Sequence, residues 1–168
     1  GPSPDYNRIG SIALSAQDYS EASRLYQKSS KTQPSTDSLT GEAIALYNQD
    51  RIADGCAKAV QASKQSLESQ TAKNAVLACI ILGGTQAEAI SLVGQKPAMS
   101  DREIANFLIN AQIYKVGESK LMSIESKTVT DWLVLSRLAI ARGDTNLAIS
   151  SAEKGIELDR SNVEINRQ

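Results

Sequence analysis

Cys56 and Cys79 are the residues whose chemistry first draws notice, and the 168-residue sequence holds no histidine to accompany them. Two cysteines do not make a disulfide framework of the small secreted kind. Each lies in an apolar helical stretch, "DGCAKAV" and "VLACIIL", which reads them as small buried helix residues. A bridge or a redox pair is the alternative. Without histidine, the Ser-His-Asp and Cys-His nucleophile systems, the two-histidine zinc helix and most catalytic zinc sites are excluded. The glycines of "GGT" at 83–85 lack a following Gly-Lys, so they read as a turn rather than a phosphate cradle. No acidic pair sits in an apolar stretch that would raise a carboxyl pKa for proton transfer. The sequence therefore predicts a non-enzyme with no metal and no cofactor.

Charge narrows the partners. The 18 basic and 19 acidic residues give a net charge of −1, and nucleic-acid or anionic-membrane binding needs a basic field. The longest apolar run, "AVLACIIL" at 75–82, is far short of the roughly 20 residues that span a bilayer. What remains is a partner protein. Gly1-Pro2 reads as a protease-cleavage scar, leaving residues 3–168 as one domain. With such a scar, a signal peptide or lipid anchor would be invisible, and both a bacterial cell envelope and a cytoplasm stay open.

The elements that would position a binding surface are helices. Aromatics make up only 4% and prolines number 4, and strand alternation is hard to find. In the last segment Trp132, Leu135, Leu138 and Ala139 recur three to four apart, one face of a helix. Gly143-Asp144 stops it, with Asp144 or Thr145 capping a second helix that carries Leu147, Ala148, Ala152, Gly155, Ile156 and Leu158 and ends at "LDRSN". The opening segment has the same layout, with Tyr6, Ile9, Gly10 and Ala13 before "AQDYSEA", then Leu25, Tyr26 and Ser29, and Pro34 as the stop. Small residues at Gly10, Ala22, Ser136, Ala148 and Gly155 suit close helix crossings beside large Tyr6, Tyr26 and Trp132.

These units resemble tetratricopeptide repeats, a helix-turn-helix pattern of 34 residues. Residues 3–36 supply its bulky, aliphatic and small positions as Tyr6, Ile9, Gly10, Ala22, Tyr26, Ser29 and Pro34, with Ala13 small where a bulky residue is usual. Residues 129–162 supply Trp132, Leu135, Ser136, Ala148, Ala152 and Gly155, with Ala139 again small and Arg160 in place of proline. Between them, 36–69, 70–98 and 99–127 follow more loosely, with Glu42 and Asn110 where aliphatics are usual and short second helices in the last two. The resemblance implies an all-α, right-handed α-solenoid of about five antiparallel helix pairs, followed by a terminal helix begun by "SNVEINRQ".

It further implies a concave groove lined by the first helix of each pair, holding a peptide segment or helix of another protein. The groove positions would be Asn7, Ser11, Thr40, Ile44, Tyr47, Cys79, Leu82, Leu108, Gln112, Lys115, Leu133, Arg137 and Ile140. Leu108, Leu133 and Ile140 would give contact area; Gln112, Lys115 and Arg137 would hold backbone or carboxylate groups. The family's clamp for chaperone C-termini needs cations at places that hold Asn7, Ser11, Gly41, Thr71 and Ala75, so that function is not expected. The implied role is an interaction scaffold or adaptor, by analogy with repeat lipoproteins that assist pilus assembly or secretion. Self-association into a homo-oligomer is the second reading, and a small-ligand binder or enzyme the third.

Overall fold

The computed structural model describes residues 4–167; Gly1 and Pro2, read above as a scar, lie outside them. Among the described residues there are ten α-helices and no strand. They are α1 (Tyr6–Ser15), α2 (Tyr19–Thr32), α3 (Thr36–Tyr47), α4 (Ile52–Gln65), α5 (Gln70–Ile81), α6 (Ala87–Val93), α7 (Asp101–Asn110), α8 (Tyr114–Met122), α9 (Val129–Ala141) and α10 (Thr145–Arg167).

Local chemistry explains most of the boundaries. Side-chain oxygens of Asp5, Asp18, Ser35, Ser69, Ser100, Thr128 and Asp144 each accept the backbone N–H three residues on, satisfying a donor that a helix start leaves free. Each odd-numbered helix is then joined to the next by the same turn. A residue with positive φ (Gln17, Asp50, Gly83, Gln112 or Gly143) follows the helix end. The N–H of the residue after it reaches back five positions, from Asp18 to Ala13, Arg51 to Leu46, Gly84 to Cys79, Ile113 to Leu108 and Asp144 to Ala139. The chain is thus five helix-turn-helix pairs built on one local motif.

Neighbouring helices pack in chain order from α1 to α6 and again from α7 to α10, with α1 also on α3, and α3 on α5. Extensive packing does not continue from α6 to α7, so the row is not uniform. Hydrogen bonds from the turns after α1 and α3, together with the packing of Leu108 and Ile113 into the core of the first stretch, join the two. Asn48, after α3, donates to the Gln112 carbonyl (3.0 Å) and accepts the Lys115 N–H (3.1 Å). Gln17, after α1, donates to the Leu138 carbonyl (2.8 Å). The main core cluster runs through α1 to α6 and takes in Leu108 and Ile113; a separate one, Ala105, Leu121 and Leu135, joins α7, α8 and α9.

Small residues set the crossings. A Cβ on Gly10 would lie 3.2 Å from the Tyr26 ring, and one on Gly155 would lie 3.3 Å from the Trp132 Cβ. Ser136 Oγ donates to the Ala148 carbonyl at 2.8 Å, which requires close approach of α9 and α10.

Two expectations are overturned here. "LDRSN" does not end the last helix, and "SNVEINRQ" does not start another: α10 is continuous for 23 residues, because Arg160 in place of proline leaves its hydrogen bonding intact. Cys56 and Cys79, read as unlinked buried residues, are fully buried but bonded to each other. They tie α4 to α5 at a Cα separation of 5.2 Å, a distance no single-helix pattern reveals.

Candidate partner-binding site

α1 and α3 lie side by side over the Tyr26 ring of α2. Gly10 and Gly41 face that ring from the two helices, and a Cβ on Gly41 would come within 2.3 Å of it. The missing side chains make room for the ring, and beside it lies an open depression of about 570 Å³. Asn7, Arg8 and Ser11 of α1 and Asp37, Thr40 and Ile44 of α3 form its walls, with Asp5 and Thr71 at the rim. Gln112, held at the α7–α8 turn by the Asn48 bond to its carbonyl, closes one side. A smaller cleft of about 80 Å³ shares Ile44, Thr71 and Gln112 and runs on between Asn74, Ala75, Asn110 and Ala111.

The depression is polar over an apolar floor. Its charged groups are one cation, Arg8, and two carboxylates, Asp5 and Asp37. Thr40 is 5% exposed, and its hydroxyl makes no hydrogen bond within the protein; the Asn7 side-chain oxygen likewise has no protein partner. A shielded polar atom without a partner costs free energy. Burial pushes the Tyr26 phenol upward in pKa; its hydrogen bond with Ser11 works the other way. The phenol is therefore neutral across the physiological range.

Of the groove positions expected from the sequence, Asn7, Ser11, Thr40, Ile44 and Gln112 come together in this depression. The others do not. Tyr47 is fully buried, its hydroxyl donating to the Ala75 carbonyl at 2.8 Å, so it is core and not groove. Leu108 is also fully buried. Both lie on helix faces that pack inward, and Cys79 is occupied by its bond to Cys56. Leu82 is half-buried as the C-cap of α5. Lys115 is exposed and pairs with Asp50 at 3.3 Å. Leu133, Arg137 and Ile140 are exposed on α9 and do not line the depression.

Arg8, Asp37, Tyr26 and Thr71 escaped the sequence reading as groove residues. Arg8 follows Asn7 on the same helix turn, and Tyr26 stands opposite Gly10 in the repeat pattern; those were the available signals. Thr71 is brought in only by the stacking of α5 beside α3.

Among the described residues no group of His, Cys, Asp and Glu is arranged to hold a metal ion, and no helix is long and apolar enough to cross a membrane. Compared with family models, with curated proteins and with solved structures, the chain finds no match.

Proposed function

We propose that this protein is a non-catalytic scaffold that binds a segment of another protein, as a peptide or helix, in the depression between α1 and α3. The observation that carries the reading is a concave, partly apolar floor walled by polar side chains of two helices, Asn7, Arg8 and Ser11 of α1 with Asp37 and Thr40 of α3. An extended chain offers alternating N–H and C=O groups along its length, which suits such a surface. The five helix pairs belong, in this reading, to a right-handed superhelix of the tetratricopeptide kind, with the turn-to-turn bonds closing its curve.

The Cys56–Cys79 bond favours an oxidising compartment, since buried disulfides persist where thiols are not kept reduced. An adaptor of an envelope assembly, such as a pilus or secretion machine, fits that compartment better than a cytoplasmic one.

The test is selection of binding peptides from a displayed random library, followed by titration against two sets of variants. Ser11→Trp and Arg8→Glu change the depression, while Leu133→Asp and Arg137→Glu change α9. Ser11 and Arg8 are exposed, so both variants should fold. The reading expects Ser11→Trp to weaken binding at least ~10-fold by filling the floor, and the α9 variants to leave it unchanged. Peptides bound equally by all four variants would remove the depression from consideration.

A further inference from the structure

We infer that the free flank of α10 pairs antiparallel with the α10 of a second copy of this chain, about a two-fold axis near Ile156. α10 has 23 residues against 13 in α9, the only helix on which it packs extensively. The side that meets α9 is small and buried: Ala148, Ser151 and Gly155. Beside it, Ile149, Ile156 and Val163 recur every seven residues and stay 45–53% exposed. A seven-residue repeat drifts only ~20° per step on a straight helix, so the three form one stripe. At 1.5 Å per residue the stripe is roughly 21 Å long. Residues 161–167, which carry its far end, are exposed throughout.

The charges beside the stripe specify the occupant. Glu153 and Arg160 each follow a stripe residue by four positions, Glu153 after Ile149 and Arg160 after Ile156. When two copies meet antiparallel with Ile156 on Ile156, Ile149 of each chain meets Val163 of the other. In this register Glu153 of each chain lies within one residue, ~1.5 Å along the axis, of Arg160 of the other, and on the same edge of the stripe; Asp159, which is level with Glu153, follows Ile156 by three positions and lies on the opposite edge. Two opposite-charge contacts follow by symmetry. A parallel pairing would set like charges level and be opposed. The acid-then-base order along one edge is therefore complementary to itself. A second copy satisfies the stripe and both charges without any other chain.

Light scattering and sedimentation equilibrium across the micromolar range test this, with circular dichroism confirming equal helicity of every variant. The wild type should be a dimer. Ile156→Asp places two carboxylates on the axis and should give a monomer. Glu153→Arg and Arg160→Glu should each weaken the dimer about tenfold by opposing like charges. Mixing these two single variants should restore a 1:1 heterodimer, because each then supplies the charge the other lacks; a folding defect cannot be rescued that way. A wild-type monomer at every concentration overturns the proposal and assigns the stripe to a different chain. So does a dimer indifferent to Ile156→Asp, or two charge variants that fail to pair on mixing.

Discussion

Glu42 places a carboxylate inside α3 at 5% exposure, with the Ser30 hydroxyl at 3.4 Å and Lys58 Nζ at 3.8 Å as its neighbours. Burial raises its pKa above the ordinary carboxylate range, and Lys58 and Ser30 oppose that only in part. The folded chain therefore holds this proton more tightly than the unfolded chain. Stability from Glu42 is full at low pH and is lost as pH rises through the raised value. Glu42→Gln keeps a group that can bond Ser30 and removes the buried charge. Urea unfolding of this variant should give a higher midpoint than wild type at pH 7, with the two converging below about pH 4, under the usual glutamate pKa. A variant equally stable at both pH values would show that Lys58 compensates the charge. From sequence, Glu42 was visible as an acid where the repeat pattern wants an aliphatic residue. Its shielding was not, because that depends on α2 and α4 closing over it.

At the scale of the element, α9 and α10 depend on small side chains. Ala148 is 5% exposed and its carbonyl accepts from Ser136 Oγ. Ala148→Leu should force the helices apart and cost ~1–3 kcal/mol, while Glu157→Gln on the exposed face should stay within ~0.5 kcal/mol. Thermal melts of the two variants check the register of this pair; equal melting temperatures would mean the crossing lies elsewhere. Helices with one buried stripe, such as α2 and α9, declared their faces in the sequence. α3 did not. Its residues Ser38 to Tyr47 are all buried, and a helix covered on every side has no amphipathic pattern to read. That is why Tyr47, seven residues past Thr40 on the same face, was misplaced: further along that face α5 closes over the helix, and the Tyr47 hydroxyl donates to the Ala75 carbonyl.

On the scale of the whole molecule, two of the ties that hold the helix pairs together make testable predictions. Asn48 is 1% exposed and spends its amide on Ile44, Gln112 and Lys115. Asn48→Ala would strand the Gln112 carbonyl and the Lys115 N–H and should cost ~2–4 kcal/mol. Hydrogen exchange should quicken first in α7 and α8, before global unfolding; uniform quickening would show that the turn bonds do not couple the two stretches. The second tie is the disulfide, which closes a loop of sequence separation 23. The Gly84 backbone lies against both sulfurs, since a Cβ there would come within 2.4 Å of Cys79 Sγ and 2.6 Å of Cys56 Sγ. Replacing both cysteines with serine should lower stability by about 3 kcal/mol, seen as a lower melting temperature. Reductant should leave the folded wild type oxidised until denaturant exposes the bond.

The sequence by itself determined the all-helical class, because periods of three to four apolar residues, Ser and Asp caps and Gly or Gln turns act over a few neighbouring positions. It also determined where close crossings fall in the first and last pairs, since only a small residue lets two backbones approach. Tertiary structure alone decided that Cys56 meets Cys79, that Asn48 joins the second pair to the fourth, that Leu108 and Tyr47 face inward, and that Thr71 and Gln112 reach the α1–α3 depression. The disulfide and the Asn48 bonds join residues 23 to 67 positions apart. They depend on the angles accumulated over several packed helices, and no short-range pattern records such a sum.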